Sequence, residues 1–145
     1  MSRFLLTVCI AMLAFSFANG QNTSMSKAKV IKEKELNDKG DSATIYYGVA
    51  SYYADKFNGR ETASGEVYSH AKSTAACNVL PLGTWIRVTN LRNGKSIILK
   101  INDRLHAKNN RLVDLTKSAA QKLGYAGRGL ARVKVEVLGK KKPKD

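Results

Sequence analysis

The chain has 145 residues, of which 25 are Lys or Arg and 11 are Asp or Glu, giving a formal net charge of +14. This length suggests one domain, and two cysteines exclude the dense disulfide framework of a small cross-linked fold. So basic a composition favours polyanionic partners through long-range attraction.

The first 20 residues predict a cleaved secretory signal peptide. A basic start is followed by residues 4–18, which are uncharged and mostly apolar, and Ala18-Asn19-Gly20 offers the small residues of a cleavage site before Gln21. A membrane anchor is the alternative, but spanning a bilayer takes roughly 18 to 20 apolar residues. A lipoprotein signal would need a cysteine at the end of the apolar run, whereas Cys9 lies in its middle. We therefore expect an exported protein of the periplasm or cell envelope, soluble, not lipidated and without a transmembrane segment after cleavage.

Cleavage removes Arg3 and Cys9, leaving a charge of +13 and one cysteine, Cys77. A single thiol cannot form an internal disulfide, and a small buried hydrophobe is the favoured interpretation of Cys77. In an exported protein the basic charge points to cell-wall glycopeptide, lipopolysaccharide or acidic lipid and not to nucleic acid, although part of it can serve solubility alone.

Residues 21–44 are rich in charged and amide side chains and predict a flexible linker. A short helix around Ala28–Leu36 is possible there. Residues 140–145 form a basic tail. The folded domain is therefore expected at residues 45–139.

Within this domain the hydrophobic pattern mostly has the two-residue period of β-strands. Strands are predicted at residues 45–53, 84–90, 96–101 and 131–137. Asn93-Gly94 predicts a hairpin turn between the second and third of these. One helix is predicted, with Thr116 at its N-cap and Gly124 just after its end. Several short strands with one short helix predict an all-β fold, a small closed barrel.

Three segments carry side chains suited to chemistry. They are the glycine-bracketed loop 57–68, the tight turn 80–84, and residues 101–104, where an apolar strand ends in Asn102-Asp103-Arg104. A carboxylate at a strand end is held rigidly by the barrel and can face a cleft, which makes Asp103 a candidate catalytic acid.

The chain resembles the rare lipoprotein A (RlpA) family through a series of motifs in the same order. They are GVASYY (48–53), GRETASGEVY (59–68), TAA (74–76), LPLGT (80–84), RVTNL (87–91), NGKS (93–96), NDR (102–104), RLVDLT (111–116) and ARVKVEVL (131–138). The resemblance implies a six-stranded double-psi β-barrel, related to the wall-loosening domain of plant expansins. It also implies an endolytic lytic transglycosylase that acts on peptidoglycan glycan strands, prefers strands without stem peptides, and is often associated with the septal ring.

Such an enzyme cleaves the MurNAc–GlcNAc bond without water, and one carboxyl can act first as acid and then as base. The resemblance assigns this role to Asp103 and an assisting role to Glu66. If the two carboxyls face each other, the pKa of one should be raised. Thr62, Tyr52, Arg104 and Cys77 are the expected substrate-binding residues. No cofactor is expected.

We expect no metal site, because the two histidines, His70 and His106, have no further ligands at suitable spacing. The expected partner is the glycan strand, with no nucleic acid, and the protein is expected to be a monomer.

This chain departs from the family at three places. Cys77 stands where the family has histidine, Ser69 where it has aspartate, and Leu105-His106 where it has Gly-Pro. Because a thiol is a weak hydrogen-bonding group, these differences favour an alternative function. That alternative is a non-catalytic, expansin-like module that binds or loosens wall glycan. A third reading, a secreted binder of nucleic acid or membrane surfaces, rests on charge alone.

Overall fold

The computed structural model describes residues 30–36 and 39–144. Within these ranges the chain forms seven strands and one α-helix, with a 3-10 turn at Asp55–Phe57. The strands are β1 (Ile31–Leu36), β2 (Ser42–Tyr52), β3 (Thr74–Cys77), β4 (Trp85–Asn90), β5 (Ser96–Asp103), β6 (Val113–Leu115) and β7 (Ala131–Gly139), and the helix α1 (Lys117–Leu123) follows β6.

Six of the strands close into a barrel. Around the barrel the order is β2-β6-β3-β5-β4-β7, and β7 pairs with β2 to complete the circle. The pairs β2–β6 and β3–β5 are parallel and the other four are antiparallel. The predicted small closed β-barrel with one short helix is therefore confirmed.

The alternating strands pack one row of apolar side chains into the barrel. Ile86 and Val88 on β4 are fully buried, as are Val133 and Val135 on β7. Burying a side chain of this size contributes about 1.5–3 kcal/mol. A closed interior of this kind needs no disulfide, and it gives the site residues on the strand ends a rigid base.

Helix α1 begins and ends at the predicted residues. Gly124 follows it in the left-handed conformation, with φ of 79°, and a Cβ there would lie 2.9 Å from Nδ2 of Asn93. Thr116 occupies the N-cap position, but its hydroxyl makes no capping hydrogen bond and donates instead to the Lys72 carbonyl. The helix buries Ala119 and Leu123 against the barrel.

The segment before the barrel is more ordered than the predicted linker. Residues 31–36 form β1, antiparallel to the start of β2, so the helix prediction for 28–36 is wrong over its described part. The reason is tertiary: the Glu35 carboxylate accepts hydrogen bonds from the Tyr47 hydroxyl at 2.8 Å and the Lys134 ammonium at 3.0 Å. These two bonds lower the pKa of Glu35.

Strand β2 starts at Ser42, so it includes three residues of the predicted linker. The predicted signal peptide lies outside the described residues. In the part of the chain that the structure describes, no helix is long and apolar enough to cross a membrane.

Candidate active site

Asp103 is the last residue of β5, at a β-bulge. Ala75 of β3 pairs with Ile101 and the next residue, Ala76, pairs with Asp103, so Asn102 is the extra residue. Bulges locally bend a strand and re-aim its side chains. The side chain of Asp103 lines an open cavity of about 710 Å³.

Three donors hold the Asp103 carboxylate in place. Oδ1 accepts hydrogen bonds from the backbone N–H groups of Ala63 and Arg104, each at 2.9 Å. Oδ2 accepts a hydrogen bond from the Tyr53 hydroxyl at 2.7 Å. The two oxygens thus differ in their partners, because Oδ1 accepts hydrogen bonds from two backbone N–H groups and Oδ2 accepts one from a side-chain hydroxyl.

Tyr53 is fixed by its aromatic neighbours. Its ring lies 4.2 Å from that of Tyr68 and 5.9 Å, edge to face, from that of Phe57. Burial, followed by the hydrogen bond to Asp103, raises the pKa of Tyr53 far above its ordinary value. The phenol therefore stays protonated and remains a donor to the carboxylate.

The cavity around Asp103 has the size and lining of a ligand site. Ligand pockets generally measure about 300–1,000 Å³ and combine apolar walls with a few polar groups. Its aromatic wall is made by Tyr52, Tyr53 and Phe57. Its polar lining comes from Arg60, Glu61, Asp103, Arg104, His106, Asn109, Arg111 and Asp114.

Asp114 is a second fixed carboxylate in this cavity. It lies on β6 between two buried residues, and Arg111 binds it with both arms of the guanidinium, at 2.8 and 2.9 Å. The hydrogen bonds to Asp114 raise the pKa of Arg111, so the guanidinium stays charged. Sequence reasoning missed this group, although an acid between two apolar residues of a buried strand is a usable signal.

Glu66 does not face Asp103. It lines a different cavity of about 470 Å³, together with Trp85 and three lysines, and its carboxylate lies 3.0 Å from the Lys100 ammonium. The Lys100 hydrogen bond lowers the pKa of Glu66, with a smaller contribution from Asn102. Glu66 and Asp103 line different cavities, so the condition under which one carboxyl would raise the pKa of the other is not met. Glu61, which lines the Asp103 cavity, is the glutamate that the loop brings there.

The loop itself explains this arrangement. Thr62 donates two hydrogen bonds, through its backbone N–H and its hydroxyl, to the Glu66 carbonyl, both at 2.8 Å. The closed turn puts Ala63 against Asp103 and carries Glu66 into the other cavity. Thr62 is buried and does not line the Asp103 cavity, so its predicted contact with substrate is replaced by a role in holding the loop.

Of the other predicted substrate-binding residues, two line the Asp103 cavity and one is buried in the core. Tyr52 and Arg104 line the Asp103 cavity, but both are already engaged with the backbone: Tyr52 donates to the Ala126 carbonyl at 2.8 Å, and Arg104 donates to the carbonyls of Cys77 and Leu80. Cys77 is fully buried, and burial raises the pKa of its thiol. Its assignment as a substrate-binding residue is wrong, and its interpretation as a small buried hydrophobe is confirmed.

Within the described residues, no group of three or more His, Cys, Asp or Glu side chains is placed to hold a metal ion.

The sequence matches a known family and several curated proteins. A family model described as "Lytic transglycolase" matches residues 45–135. The chain is 37% identical over 144 residues to an endolytic peptidoglycan transglycosylase RlpA of Neisseria meningitidis, covering 93% of this chain and 60% of the relative. It is 54% identical over 89 residues to the RlpA of Pseudomonas aeruginosa, covering 61% of this chain and 26% of the relative. The chain thus spans less than two thirds of the length of either relative.

Two solved structures share the fold at low sequence identity. The apo form of an expansin from Clavibacter michiganensis has a TM-score of 0.53 at 17% identity, covering 70% of this chain and 52% of its own. A Streptomyces papain inhibitor has a TM-score of 0.51 at 21% identity, and the match covers 64% of this chain and 94% of the inhibitor chain. These likenesses concern the fold alone, and they confirm the double-psi β-barrel.

Proposed function

The chain belongs to the lytic transglycolase family, and we propose that it is an exported enzyme that cleaves peptidoglycan glycan strands between MurNAc and GlcNAc. The observation that carries this proposal is the setting of Asp103, a carboxyl fixed by three donors at a barrel rim and open to a cavity of about 710 Å³. Curated relatives named endolytic peptidoglycan transglycosylase support the same reaction.

Asp103 can serve both steps of a lytic cleavage. Its protonated carboxyl gives the proton to the glycosidic oxygen, and the bond from that oxygen to C1 of the muramic acid breaks. The C6 hydroxyl of the same sugar then attacks C1, and the Asp103 carboxylate takes the hydroxyl proton. A 1,6-anhydro ring forms, no water is consumed, and Asp103 ends in the form in which it began.

The hydrogen bonds distinguish which oxygen moves the proton. Oδ1 already accepts two backbone N–H groups, so Oδ2 is the oxygen that can carry the proton toward substrate. The Tyr53 hydroxyl donates to Oδ2 and stabilises the negative charge that appears there once the proton has left. Tyr53 is thus proposed as a residue that acts on the reacting group directly.

The rest of the cavity can hold the sugars. The rings of Tyr52 and Phe57 offer apolar faces, and the exposed Arg60 and Glu61 offer hydrogen bonds to hydroxyl and acetamido groups. Asp114 and Arg111 neutralise each other and form a rigid polar wall. We also propose that the protein works in the periplasm or cell envelope, either at the septal ring or along the whole wall, because residues 1–20 resemble a signal peptide.

The test is digestion of glycan strands from which an amidase has removed the stem peptides. The purified protein should release products ending in 1,6-anhydro-muramic acid, detected by mass spectrometry. Asp103→Asn should reduce the rate by about 10²- to 10⁴-fold, the usual contribution of a general acid–base group. Asp55→Asn is the matched control, since Asp55 is exposed, pairs with Lys117 at 3.1 Å and lies outside the cavity. Absence of anhydro products, or unchanged activity of Asp103→Asn, would overturn the proposal.

A second candidate function is a non-catalytic module that holds wall glycan. Two points favour it: Glu66 lines a different cavity from Asp103, and a buried cysteine, Cys77, stands where the resemblance to the family implies a histidine. This function predicts that the protein sediments with insoluble sacculi and releases no sugar from them.

A further inference from the structure

A third cavity, distinct from those of Asp103 and Glu66, is strongly basic. It measures about 600 Å³, and the residues that line it include Arg92, Arg128 and Arg132, together with Leu91, Tyr125 and Leu130. We call it the arginine cavity. Of its lining residues, none is acidic.

The three guanidinium groups are available to a ligand. All three arginines are exposed, and none makes an ion pair or side-chain hydrogen bond with any residue in the part of the chain that the structure describes. By contrast, Arg87 and Arg111 are ion-paired, with carboxylate partners at 2.9 and 2.8 Å. Three unpaired guanidiniums around one cavity repel one another, and an anion relieves that repulsion while filling their planar donor forks.

The framework of the arginine cavity is rigid. The side-chain amides of Asn90 and Asn93 both donate to the Leu123 carbonyl at 2.9 Å, which ties the β4–β5 turn to the end of α1. The Leu91 N–H donates to the Arg132 carbonyl at 3.1 Å, which ties the same turn to β7. The backbone that carries the arginines is therefore fixed before an anion binds, and the ordering cost of binding is confined to the arginine side chains.

The loop 124–130 joins the arginine cavity to the Asp103 cavity. Tyr125 lines the arginine cavity and donates its hydroxyl to the Ser51 carbonyl at 2.8 Å. The next residue, Ala126, accepts the hydroxyl of Tyr52, which lines the Asp103 cavity. The rings of Tyr52 and Tyr125 meet edge to face at 6.2 Å. The loop thus contacts Tyr52 of the Asp103 cavity and contributes Tyr125 and Arg128 to the arginine cavity, so a chain-like ligand that leaves the Asp103 cavity across this loop would meet the arginines.

We propose that the arginine cavity binds the free lactyl carboxylates of muramic acid residues beyond the bond that is cut. This inference rests on the proposed function, which supplies the glycan strand. A muramic acid without its stem peptide carries a lactyl carboxylate, whereas one with the peptide carries an uncharged amide at that position. The lactyl methyl group beside the carboxylate suits the exposed Leu91 at the cavity wall. The arginine cavity is thus a selectivity site for strands stripped of peptides.

The experiment measures binding separately from cleavage. Soluble denuded oligosaccharides are titrated into Asp103→Asn protein, with their lactyl carboxylates either free or converted to methylamides. We expect the amides to bind at least tenfold more weakly. The triple variant R92Q/R128Q/R132Q, in the same background, should lose at least tenfold in affinity for the free carboxylates and should no longer distinguish the two ligands.

A charge-matched control separates the site from general basicity. K34Q/K141Q/K144Q removes the same charge from exposed positions that line none of the three cavities. Equal losses in the two triple variants, or equal binding of acids and amides by the parent, would overturn the inference. So would a triple arginine variant that loses binding to anionic phospholipid vesicles while keeping its affinity for glycan.

The two experiments distinguish failure of the arginine site from failure of the proposed cleavage reaction. If the parent protein with Asp103 intact releases no anhydro sugar but binding still depends on the arginines and on free carboxylates, the proposed reaction fails and the arginine site stands. If anhydro sugar is released and the triple arginine variant binds normally, the arginine site fails alone.

Discussion

Replacing Tyr53 by phenylalanine tests the proposed reaction at a single atom. The substitution removes the hydroxyl that donates to Asp103 Oδ2 at 2.7 Å and leaves the ring that packs on Tyr68 and Phe57. The lost bond acts most strongly on the carboxylate that forms when the proton moves to the glycosidic oxygen. A hydrogen bond to a charged group contributes about 1.5–3 kcal/mol, so kcat should fall by about 10- to 150-fold.

The assay is the release of 1,6-anhydro products from denuded strands under saturating substrate. Tyr68→Phe is the matched control, because it removes the same atom from the neighbouring ring, whose hydroxyl lies 2.8 Å from His70 Nδ1 and not against Asp103. Tyr53→Phe retaining more than half of kcat, or Tyr68→Phe losing as much as Tyr53→Phe, would refute the role of the phenol.

Three further predictions concern packing and titration. Gly48→Ala should reduce the free energy of unfolding by about 1–3 kcal/mol in urea, the cost of overpacking, because a Cβ there would lie 2.7 Å from the Leu112 Cβ. Lys100→Met should raise the pKa of Glu66, followed by NMR titration of its carboxyl carbon, because the Lys100 hydrogen bond is the main cause of its lowered value. Cys77 should react with iodoacetamide only on unfolding, since the thiol is fully buried and its pKa is raised.

Each of these has a control or a contradicting result. Gly127→Ala, where a Cβ meets nothing within 4 Å, should leave stability within about 0.5 kcal/mol. In the unsubstituted protein the Glu66 carboxylate stabilises the fold above the ordinary glutamate pKa, and this contribution is lost as pH falls through the lowered value. A Glu66 titration unchanged by Lys100→Met would contradict the ion pair. Rapid alkylation of Cys77 in the folded protein would contradict its burial.

The strands with clear alternation were predictable, and those without it were not. The patterns around β4, β5 and β7 predicted these strands because each has one face in the core and one in contact with solvent. All four residues of β3 are buried, and β6 has three residues, so neither carries a readable period. The charged sequence of β1 resembles a linker, and only its contacts with β2 and Lys134 make it a strand.

The candidate site could also be predicted only in part. The sequence predicted Asp103 at the rim of the barrel, because the apolar pattern of β5 ends just before it. The direction of Glu66 depends on the turn closed by Thr62, and the contact of Tyr53 with Asp103 joins residues 50 positions apart. Such long-range contacts leave no periodic trace in the chain.

The strand β1 also bears on how the molecule avoids self-association through its sheet. One edge of β1 is paired with β2, and no other strand in the described part of the chain covers its outer edge. A second polypeptide adding itself there would have to dehydrate a run of four charged residues at 32–35, which alternate in sign along the strand. Charged side chains on an exposed edge discourage intermolecular strand pairing. Strand β1 therefore covers the edge of the first half of β2 and exposes its own charged edge instead, and this charged edge resists the strand addition by which fibrils grow.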